Sequence, residues 1–353
     1  MLLSQISVFL VSCIGVIILT PPTIFFAKKL GLVDDPKTHK HPAVIHKKTL
    51  PRGGGLPIYL SILLGILFLL PDSTVFLPVL ISGGLIVIVG LLDDRYDLSP
   101  YLRFGANIVC AAIVVFSGIH VPFITNPLGG ILHFSNISYP IFGFDLSLGS
   151  LIAVVWVVWI MNMLNWSKGV DGQMPGIAAI SAIVVGFAAL RFPVLTESNI
   201  LISQAAFIVA GASAGFLFYN FYPAKIFPGY SATILGFMIG VLSIMSGVKL
   251  ATALLVMGVP AADFVFIFIR RIMQHKSPFR GDREHLHHLL LKLGMGQRRI
   301  AISYWIVSLL LGVFALNLSS RGKLFAIILV VVVVGSVILT LRFLLRKINE
   351  ESI

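Results

Sequence analysis

The stretch ISVFLVSCIGVIILTPPTIFFA, residues 6–27, contains no charged side chain and is predominantly apolar. A helix of roughly 20 apolar residues crosses the roughly 30 Å hydrocarbon core of a bilayer, so this stretch predicts a transmembrane helix. Met1–Ser4 before it carry no Lys or Arg, whereas Lys28 and Lys29 follow it directly. This charge pattern predicts a retained span rather than a cleaved signal peptide.

The composition of the whole chain agrees with this stretch. The 353 residues are 58% hydrophobic and only 11% charged, and the mean hydropathy is +1.00. About one quarter of the residues of a soluble domain are charged, so the water-soluble, disordered and coiled-coil classes are excluded. Cys13 and Cys110 both lie in apolar runs, which argues against a disulfide framework and against a cysteine metal site.

Eleven apolar stretches between polar clusters predict an all-α, polytopic integral membrane protein, formed as a single transmembrane domain over residues 1–353. The predicted spans are Ile6–Ala27, Leu56–Leu70, Phe76–Leu92, Leu102–Gly118, Leu148–Met163, Pro175–Leu190, Ile200–Phe218, Thr233–Ser246, Ala251–Ile269, Ile300–Leu318 and Leu324–Leu345.

The basic residues predict the orientation of these spans. The predicted spans place 22 of the 26 Lys and Arg residues on one side of the membrane. The other side receives only Arg191, Lys249, Arg321 and Lys323. Basic residues in short loops stay in the cytosol, so the N-terminus is predicted outside and the C-terminus inside. The net charge of +12 then reflects topology, and no nucleic-acid partner is predicted.

The two longest connections fall on opposite sides of this predicted arrangement. Residues 119–147 form an extracytosolic loop, in which turn signals around β-rich pieces predict a short hairpin. Residues 270–300 form a cytosolic loop that contains histidines. Eight of the ten aspartates and seven of the nine histidines fall on or near the cytosolic face, which predicts an active site there.

The sharpest cluster is GLLDDRYD, residues 90–97, at the end of the third predicted span. Asp93, Asp94 and Asp97 are the predicted catalytic carboxylates, because adjacent carboxylates in an apolar setting need a cation nearby to stay ionised. Mg²⁺ is a candidate cation, since it takes few carboxylates and leaves positions for phosphate oxygens. The alternative is a solvated loop in which neighbouring arginines pair with the carboxylates.

A second cluster, REHLHH, begins at Arg283 and contains His285, His287 and His288. Imidazoles and arginines bind diphosphates, and the same histidines could also bind a metal. The absence of a nearby cysteine and of the partner residues of a helical zinc motif favours phosphate over zinc. Histidines that simply lie at the surface are the remaining alternative.

A third segment, NMLNWSKGVDGQ, lies where the fifth predicted span reaches the cytosol. Asn162 and Asn165 share a helix face and can bind amide or hydroxyl groups of a substrate, and Lys168 and Asp171 follow them. The glycines let the backbone turn close to a ligand. Helix-end capping is the alternative interpretation.

Two further features have possible roles. Asp263 lies about two turns before Arg270 within the ninth predicted span, which is typical of a functional or strongly paired residue. The stretch LPRGGG, which contains Arg52, predicts either a phosphate cradle of backbone N–H groups or a hinge.

Taken together, these motifs resemble those of the polyprenyl-phosphate N-acetylhexosamine-1-phosphate transferases, glycosyltransferase family 4. The resemblance covers Gly31 to Gly294 and lies in five motifs in family order: VDDP from Val33, His46 before PRGG from Pro51, GLLDDRYDLSP from Gly90, the asparagine segment from Asn162 and the histidine segment from Asp282. The His-x-His-His form is closer to the N-acetylglucosamine-1-phosphate transferases than to the phospho-MurNAc-pentapeptide translocases of this family.

The resemblance implies a reaction. The family transfers an N-acetylhexosamine-1-phosphate from a UDP-sugar to a membrane polyprenyl phosphate and releases UMP, as the first step of lipid-linked cell-envelope glycan synthesis. The implied location is the plasma or inner membrane, and the implied cofactor is Mg²⁺. The identity of the sugar, the polyprenol length and the formation of a homodimer are left open.

The resemblance also implies roles for individual residues. Asp93 and Asp94 would interact with the acceptor phosphate and the metal, with Asp94 as the metal ligand. The implied substrate-binding residues are Asn162, Asn165, Lys168 and Asp171, Arg283, His285, His287 and His288, and His46 and Arg52. Among these, the asparagines and Asp171 would face the nucleotide, and the histidines would face the diphosphate.

Two positions depart from the family pattern. Lys168 stands where the family has the first aspartate of Asn-x-x-Asn-x-x-Asp-Gly-x-Asp-Gly, and Tyr230 stands where a later family turn supplies a Mg²⁺-binding aspartate. Both changes make the site more positive and less suited to Mg²⁺. They motivate two hypotheses: Lys168 takes over part of the metal's role, or the protein is a catalytically inactive relative that binds polyprenyl phosphate or a partner enzyme.

Two other classes of membrane protein are less consistent with the sequence. Prenyltransferases use similar aspartate motifs, but a second aspartate-rich motif is missing here. Transporters more often bury charges near the bilayer midplane, whereas the charges of this chain collect at the predicted cytosolic rim.

Overall fold

A computed structural model describes residues 2–35, 49–126, 129–134, 138–141, 144–247, 250–277 and 284–351. Within these ranges the chain forms α-helices with the following bounds: α1 (Leu2–Lys29), α2 (Gly55–Leu69), α3 (Leu77–Tyr96), α4 (Pro100–Phe116), α5 (Leu148–Trp166), α6 (Gln173–Ala189), α7 (Glu197–Asn220), α8 (Ile234–Met245), α9 (Leu250–Val256), α10 (Gly258–Met273), α11 (Leu286–Lys292), α12 (Gln297–Asn317) and α13 (Ser320–Glu351).

The helices confirm the prediction of an all-α, multi-pass membrane protein. Among the described residues, the helices long and apolar enough to cross a membrane number six, and the bent pair α9 and α10 makes up to seven; the six are α1, α3, α5, α7, α12 and α13. Four shorter apolar helices, α2, α4, α6 and α8, coincide with four other predicted spans. The count of eleven spans and their orientation stay predictions.

The ninth predicted span differs from a simple helix. Its residues form α9 and α10, which are bent by 88° at Met257. Pro260 favours a break here, since a proline has no N–H to donate and its ring clashes with the carbonyl four residues earlier, that of Val256. Gly258 adds flexibility at the same point.

The centre of the molecule consists of α6, α7 and α8. Of the 18 most apolar consecutive residues of α7, 78% are buried inside the protein. Of the corresponding 18 residues of α13, only 11% are buried. Gly211 and Gly215 let α7 approach α1 closely, because a Cβ at either position would lie within 2.4 Å of the carbonyl oxygen of Phe9 or Cys13. Peripheral helices expose large side chains such as Leu3 and Phe325, as expected of surfaces in contact with lipid.

Short antiparallel strand pairs lie in the connections. β1 (Val33–Asp34) pairs with β2 (Leu50–Pro51), β3 (Phe123–Thr125) pairs with β4 (Ile131–His133), and β5 (Ser138–Ile141) pairs with β6 (Phe144–Ser147). The described parts of segment 119–147 therefore hold two strand pairs, and those of segment 270–300 hold the short helix α11. The sides of the membrane on which these segments lie stay predictions.

Candidate active site

The last turn of α3 positions the three aspartates of the GLLDDRYD motif. α3 ends at Tyr96, and the next residue, Asp97, adopts a left-handed conformation (φ 50°, ψ 66°) and donates its N–H to the carbonyl oxygen of Asp93 at 2.9 Å. Asp93 and Asp94 are 5% and 6% exposed, whereas Asp97 is exposed. The structure thus separates the three predicted catalytic carboxylates into a buried pair and an exposed residue at the helix end.

Asp94 is held by the turn that precedes α8. Its Oδ1 accepts the backbone N–H of Tyr230 at 2.8 Å, and its Oδ2 accepts the hydroxyl of Ser231 at 3.1 Å. Ser231 Oγ in turn accepts the backbone N–H of Gly55 at 3.1 Å. The carboxylate therefore joins the end of α3, the start of α2 and the turn before α8.

Asp93 is linked to Tyr230 through Arg103. Its Oδ2 accepts a hydrogen bond from Arg103 Nη1 of α4 at 3.1 Å, and the Arg103 guanidinium lies 5.1 Å from the centroid of the Tyr230 ring. The Tyr230 hydroxyl accepts from Asn107 Nδ2 at 3.0 Å. Burial raises the pKa of Tyr230 to about 12, so this phenol is neutral at physiological pH.

Lys168 reaches the same cluster from the loop between α5 and α6. Its Nζ donates to the carbonyl oxygen of Gly229 at 3.1 Å and lies 5.8 Å from the centroid of the Tyr230 ring. Burial lowers the pKa of Lys168 to about 8, although attraction to Asp94 acts in the opposite direction. The two positions that depart from the family pattern, 62 residues apart in the sequence, are therefore neighbours.

A second group of polar residues surrounds the start of α11. His285 Nδ1 and Asp263 Oδ2 are 2.8 Å apart, and Asp263 Oδ1 accepts the backbone N–H of Leu286 at 3.0 Å. Trp166, at the end of α5, stacks on Phe264 and meets the His285 ring edge-on. Asp263 thus pairs strongly and fixes the histidine segment to α10, one of the two roles predicted for it.

His287 and His288 lie next to the loop that carries Lys168. The rings of His285 and His287 are parallel with centroids 5.5 Å apart, and those of His287 and His288 are 4.3 Å apart. A Cβ at Gly169 would lie 1.8 Å from His287 Nε2, so only a glycine fits against this ring. Burial, with some contribution from its two histidine neighbours, lowers the pKa of His287 well below its usual value, which makes it a neutral hydrogen-bonding group.

The asparagine segment is partly used by the fold itself. Asn162 Nδ2 donates to the carbonyl oxygen of Val158 in its own helix at 2.7 Å. Asn165 Oδ1 is buried and has no hydrogen-bond partner within the described part of the chain. Asp171 Oδ2 accepts the backbone N–H of Ala224 at 3.0 Å, so this carboxylate braces the connection between α7 and α8. Their contacts with a nucleotide stay predictions.

The PRGGG segment uses several of its backbone N–H groups for contacts within the protein, and the phosphate cradle stays a prediction. The N–H of Gly54 donates to the carbonyl oxygen of Phe227 at 3.2 Å, and that of Gly55 donates to Ser231. Arg52 pairs with Asp34 across β1 and β2 at 2.6 Å. His46 and Arg283, two further predicted substrate-binding residues, lie outside the described residues.

Several residues of the site were not singled out from the sequence. Asn107 and Ser231 contact the carboxylate cluster, and Glu284 forms ion pairs with Arg270, Lys292 and Arg342 around the start of α11. The sequence does indicate Asn107, because a polar side chain within an apolar span is usually functional. No feature of the sequence indicates Ser231, apart from its position next to Tyr230 in the turn.

The described side chains do not favour the implied Mg²⁺ site. No three His, Cys, Asp or Glu residues converge within the described ranges in a way that could hold a metal ion. Both oxygens of Asp94, the implied ligand, already accept hydrogen bonds, and Lys168 lies close enough to be attracted to it. Mg²⁺ therefore stays an expectation from the resemblance, and no chemical step is assigned to it.

Comparisons with known proteins point to one family. The model of glycosyl transferase family 4 matches residues 76–247. A probable undecaprenyl-phosphate N-acetylglucosaminyl 1-phosphate transferase of Bacillus subtilis is 30% identical over 88% of this chain and 84% of its own length. A decaprenyl-phosphate N-acetylglucosaminephosphotransferase of Mycolicibacterium smegmatis is 30% identical over 86% of this chain and 80% of its own.

A third relative extends the same pattern. An undecaprenyl-phosphate alpha-N-acetylglucosaminyl 1-phosphate transferase of Escherichia coli is 28% identical over 84% of this chain and 80% of its own. The family-4 match includes Asp93, Asp94, Lys168 and Tyr230, the residues that form the buried cluster. With such identity over most of both chains, the protein belongs to glycosyl transferase family 4, the polyprenyl-phosphate N-acetylhexosamine-1-phosphate transferases.

Proposed function

We propose that the protein transfers N-acetylglucosamine-1-phosphate from UDP-N-acetylglucosamine to a polyprenyl phosphate at the cytosolic face of the cell membrane. The relatives described above transfer N-acetylglucosamine 1-phosphate to undecaprenyl or decaprenyl phosphate, which supports both the sugar and the lipid acceptor. The observation that carries the proposal is the buried pair Asp93 and Asp94. The pair lies beside Lys168, at the end of α3, which is long and apolar enough to cross a membrane.

The proposed reaction is a displacement at phosphorus. An oxygen of the polyprenyl phosphate attacks the β-phosphorus of the UDP-sugar and forms a new P–O bond. The bond from that phosphorus to the oxygen that bridges to the α-phosphate breaks, and UMP leaves with the bridging oxygen. The products are UMP and a polyprenyl-diphospho-sugar, and no oxidant or reductant is needed.

The carboxylates have a role in this reaction when the acceptor arrives as a monoanion. The proton of the polyprenyl phosphate then passes to a carboxylate oxygen of Asp93 or Asp94, which acts as general base. Catalysis of phosphoryl transfer otherwise depends on positioning and on neutralising charge. In the proposal the histidine group provides donors for the diphosphate, and Asn165 Oδ1 accepts from the nucleotide or the sugar amide.

We further propose the eleven-span arrangement, with the N-terminus outside and the carboxylate cluster inside. The support is that four shorter apolar helices coincide with the predicted spans that the six or seven long ones leave unassigned. α6 has 17 residues, and at about 1.5 Å per residue such a helix is just long enough to cross.

Purified protein supplied with undecaprenyl phosphate and a panel of UDP-N-acetylhexosamines tests the function. The proposal predicts release of UMP only when both substrates are present, and the highest rate with UDP-N-acetylglucosamine. Highest activity with another N-acetylhexosamine would contradict the assigned sugar alone. No UMP from folded protein that still binds the lipid phosphate would contradict the transferase and favour the inactive relative.

A further inference from the structure

The charge of the buried carboxylate pair is already balanced by side chains. Asp93 pairs with Arg103 at 3.1 Å, and Lys168 is attracted to both Asp93 and Asp94. Arg103 and Lys168 thus already face the two carboxylates before any substrate binds. A divalent cation added beside Lys168 and Arg103 would be repelled by both of them.

The oxygens of these carboxylates are also largely occupied. Asp94 Oδ1, Asp94 Oδ2 and Asp93 Oδ2 each accept a hydrogen bond from the protein. Asp93 Oδ1 alone of the four is buried with no hydrogen-bond partner among the described residues. Mg²⁺ is usually held by one or two carboxylates, with water and substrate phosphates completing its octahedral shell, and here only Asp93 Oδ1 could serve as such a ligand without giving up a hydrogen bond.

Tyr230 does not restore an oxygen ligand at this place. Its neutral hydroxyl already accepts a hydrogen bond from Asn107 Nδ2 at 3.0 Å. The ring instead provides a surface beside both cations, with Arg103 at 5.1 Å and Lys168 at 5.8 Å from its centroid. Such contacts between cations and an aromatic face stabilise a fixed position for the charge.

Lys168 lies where a cation can act on a diphosphate. Its ammonium has three donors, of which one is directed to the carbonyl oxygen of Gly229. The next residue, Gly169, lies against His287, so the same loop borders both the carboxylate pair and the histidine group. A substrate diphosphate between these two groups would lie within reach of the ammonium.

We propose that Lys168 supplies the positive charge that neutralises the diphosphate of the sugar donor during transfer, in place of a divalent metal ion. The inference rests on the proposed function. In the displacement, negative charge accumulates on the oxygen that leaves with UMP, and the Lys168 ammonium donates a hydrogen bond to it. No proton needs to be transferred from the lysine, so the balance of the reaction is unchanged.

Transfer by purified protein in excess EDTA, compared with transfer in Mg²⁺, tests the inference. We expect the two rates to agree within about twofold and Lys168→Met to lower kcat by about 100-fold in both conditions. Lys168→Arg, which keeps the positive charge, should retain more activity than Lys168→Met. Activity that EDTA abolishes and Mg²⁺ restores would overturn the inference while leaving the proposed function intact.

Metal binding measured by Mn²⁺ electron paramagnetic resonance gives a second readout that does not depend on transfer. The wild-type protein should leave Mn²⁺ free in solution, whereas the double variant Lys168→Asp with Tyr230→Asp should bind one equivalent. If no variant transfers sugar under any condition, this readout still decides: stoichiometric Mn²⁺ binding by wild type that Asp94→Asn abolishes overturns the inference. Should the double variant fail to fold, Lys168→Met alone keeps the comparison of rates.

Discussion

Asp94 is the most constrained side chain of the site. It accepts two hydrogen bonds from the turn at Tyr230 and Ser231, and Gly229 packs directly against its carboxylate. A carboxylate buried to this degree is costly unless it is paired, and attraction to Lys168 supplies the pairing. The charge of Asp94 and its hydrogen bonds therefore have separable roles, which substitution can distinguish.

Asp94→Asn should abolish most activity and preserve the fold. The amide oxygen can still accept the Tyr230 N–H, and the Ser231 hydroxyl can turn to the carbonyl oxygen of Pro228, which is 3.4 Å away. Loss of the negative charge should lower kcat by at least about 100-fold. UMP release and the unfolding temperature measure the two effects, and Asp72→Asn, an exposed aspartate before α3, is the control. Equal activity of both variants would contradict a catalytic role for Asp94.

The pH dependence of kcat/KM should report Lys168. Its pKa is lowered from 10.5 to about 8, so the side chain is cationic below about pH 8 and neutral above it. Activity should therefore fall by about tenfold per pH unit above pH 8, because the required cation is lost. Lys168→Arg should remove this alkaline limb, since arginine stays protonated. An unchanged limb in Lys168→Arg would assign the titration to another group.

Part of this site was predictable from the sequence. Asp93, Asp94 and the histidines were singled out because polar residues are rare in an apolar chain. The contacts of Lys168 with the Gly229 carbonyl oxygen and the Tyr230 ring could not be predicted, since they depend on how α5 and α8 pack. Likewise, the exposure of Asp97 follows from the left-handed end of α3, which the spacing of the aspartates did not indicate.

Helix packing around the turn at Ser231 is tight enough to require glycine. A Cβ at Gly90 of α3 would lie 2.3 Å from Ser231 Cα, and a Cβ at Gly55 of α2 would lie 2.1 Å from the Ser231 carbonyl carbon. Both obstacles are backbone atoms, which cannot move aside as a flexible side chain can. These two glycines let α2 and α3 approach the turn that holds Asp94.

Gly90→Ala should destabilise the protein by about 1–3 kcal/mol, because the added methyl overpacks this contact. Gly105→Ala is the matched control, since Gly105 is also helical and a Cβ there meets nothing within 4 Å. Alanine at that control position should leave stability unchanged or raise it by up to about 1 kcal/mol. The unfolding temperatures of the two variants in detergent measure the difference, and similar temperatures would contradict the tight packing.

The positions of the helices were largely predictable, but the break between α9 and α10 was not. Apolar runs identified the helices because lipid requires long stretches without charge. The positions of the prolines do not predict the break. Pro21 and Pro22 lie inside α1, which continues through them, whereas Pro260 follows the sharp bend between α9 and α10. Whether a proline bends or breaks a helix depends on the packing of its neighbours, which the sequence does not contain.

Across the whole molecule, the proposed topology places the carboxylate and histidine groups on one face. Eleven crossings require α6 to span the membrane, so the connection between α6 and α7 must lie outside. If α6 did not cross, this connection would instead lie on the cytosolic side. Val194 is 78% exposed in this connection and offers a labelling position.

Single cysteines at His133, Val194 and Lys292, in a chain with Cys13 and Cys110 replaced by alanine, test the topology. A membrane-impermeant maleimide should label His133→Cys and Val194→Cys in intact cells and should label Lys292→Cys only after permeabilisation. The reason is that positions 133 and 194 lie outside in the proposed arrangement and position 292 lies inside. Protection of Val194→Cys in intact cells would exclude the crossing by α6.

Phosphorus-labelled donor tests the proposed reaction most directly. Purified protein would be given undecaprenyl phosphate and UDP-N-acetylglucosamine with ³²P in the β-phosphate and ³H in the sugar. The proposal predicts that both labels move together into the lipid product, one for one with released UMP, and that Asp94→Asn prevents the transfer. Transfer of ³H without ³²P would show that only the sugar moves, and it would contradict the assignment of this protein as a sugar-1-phosphate transferase.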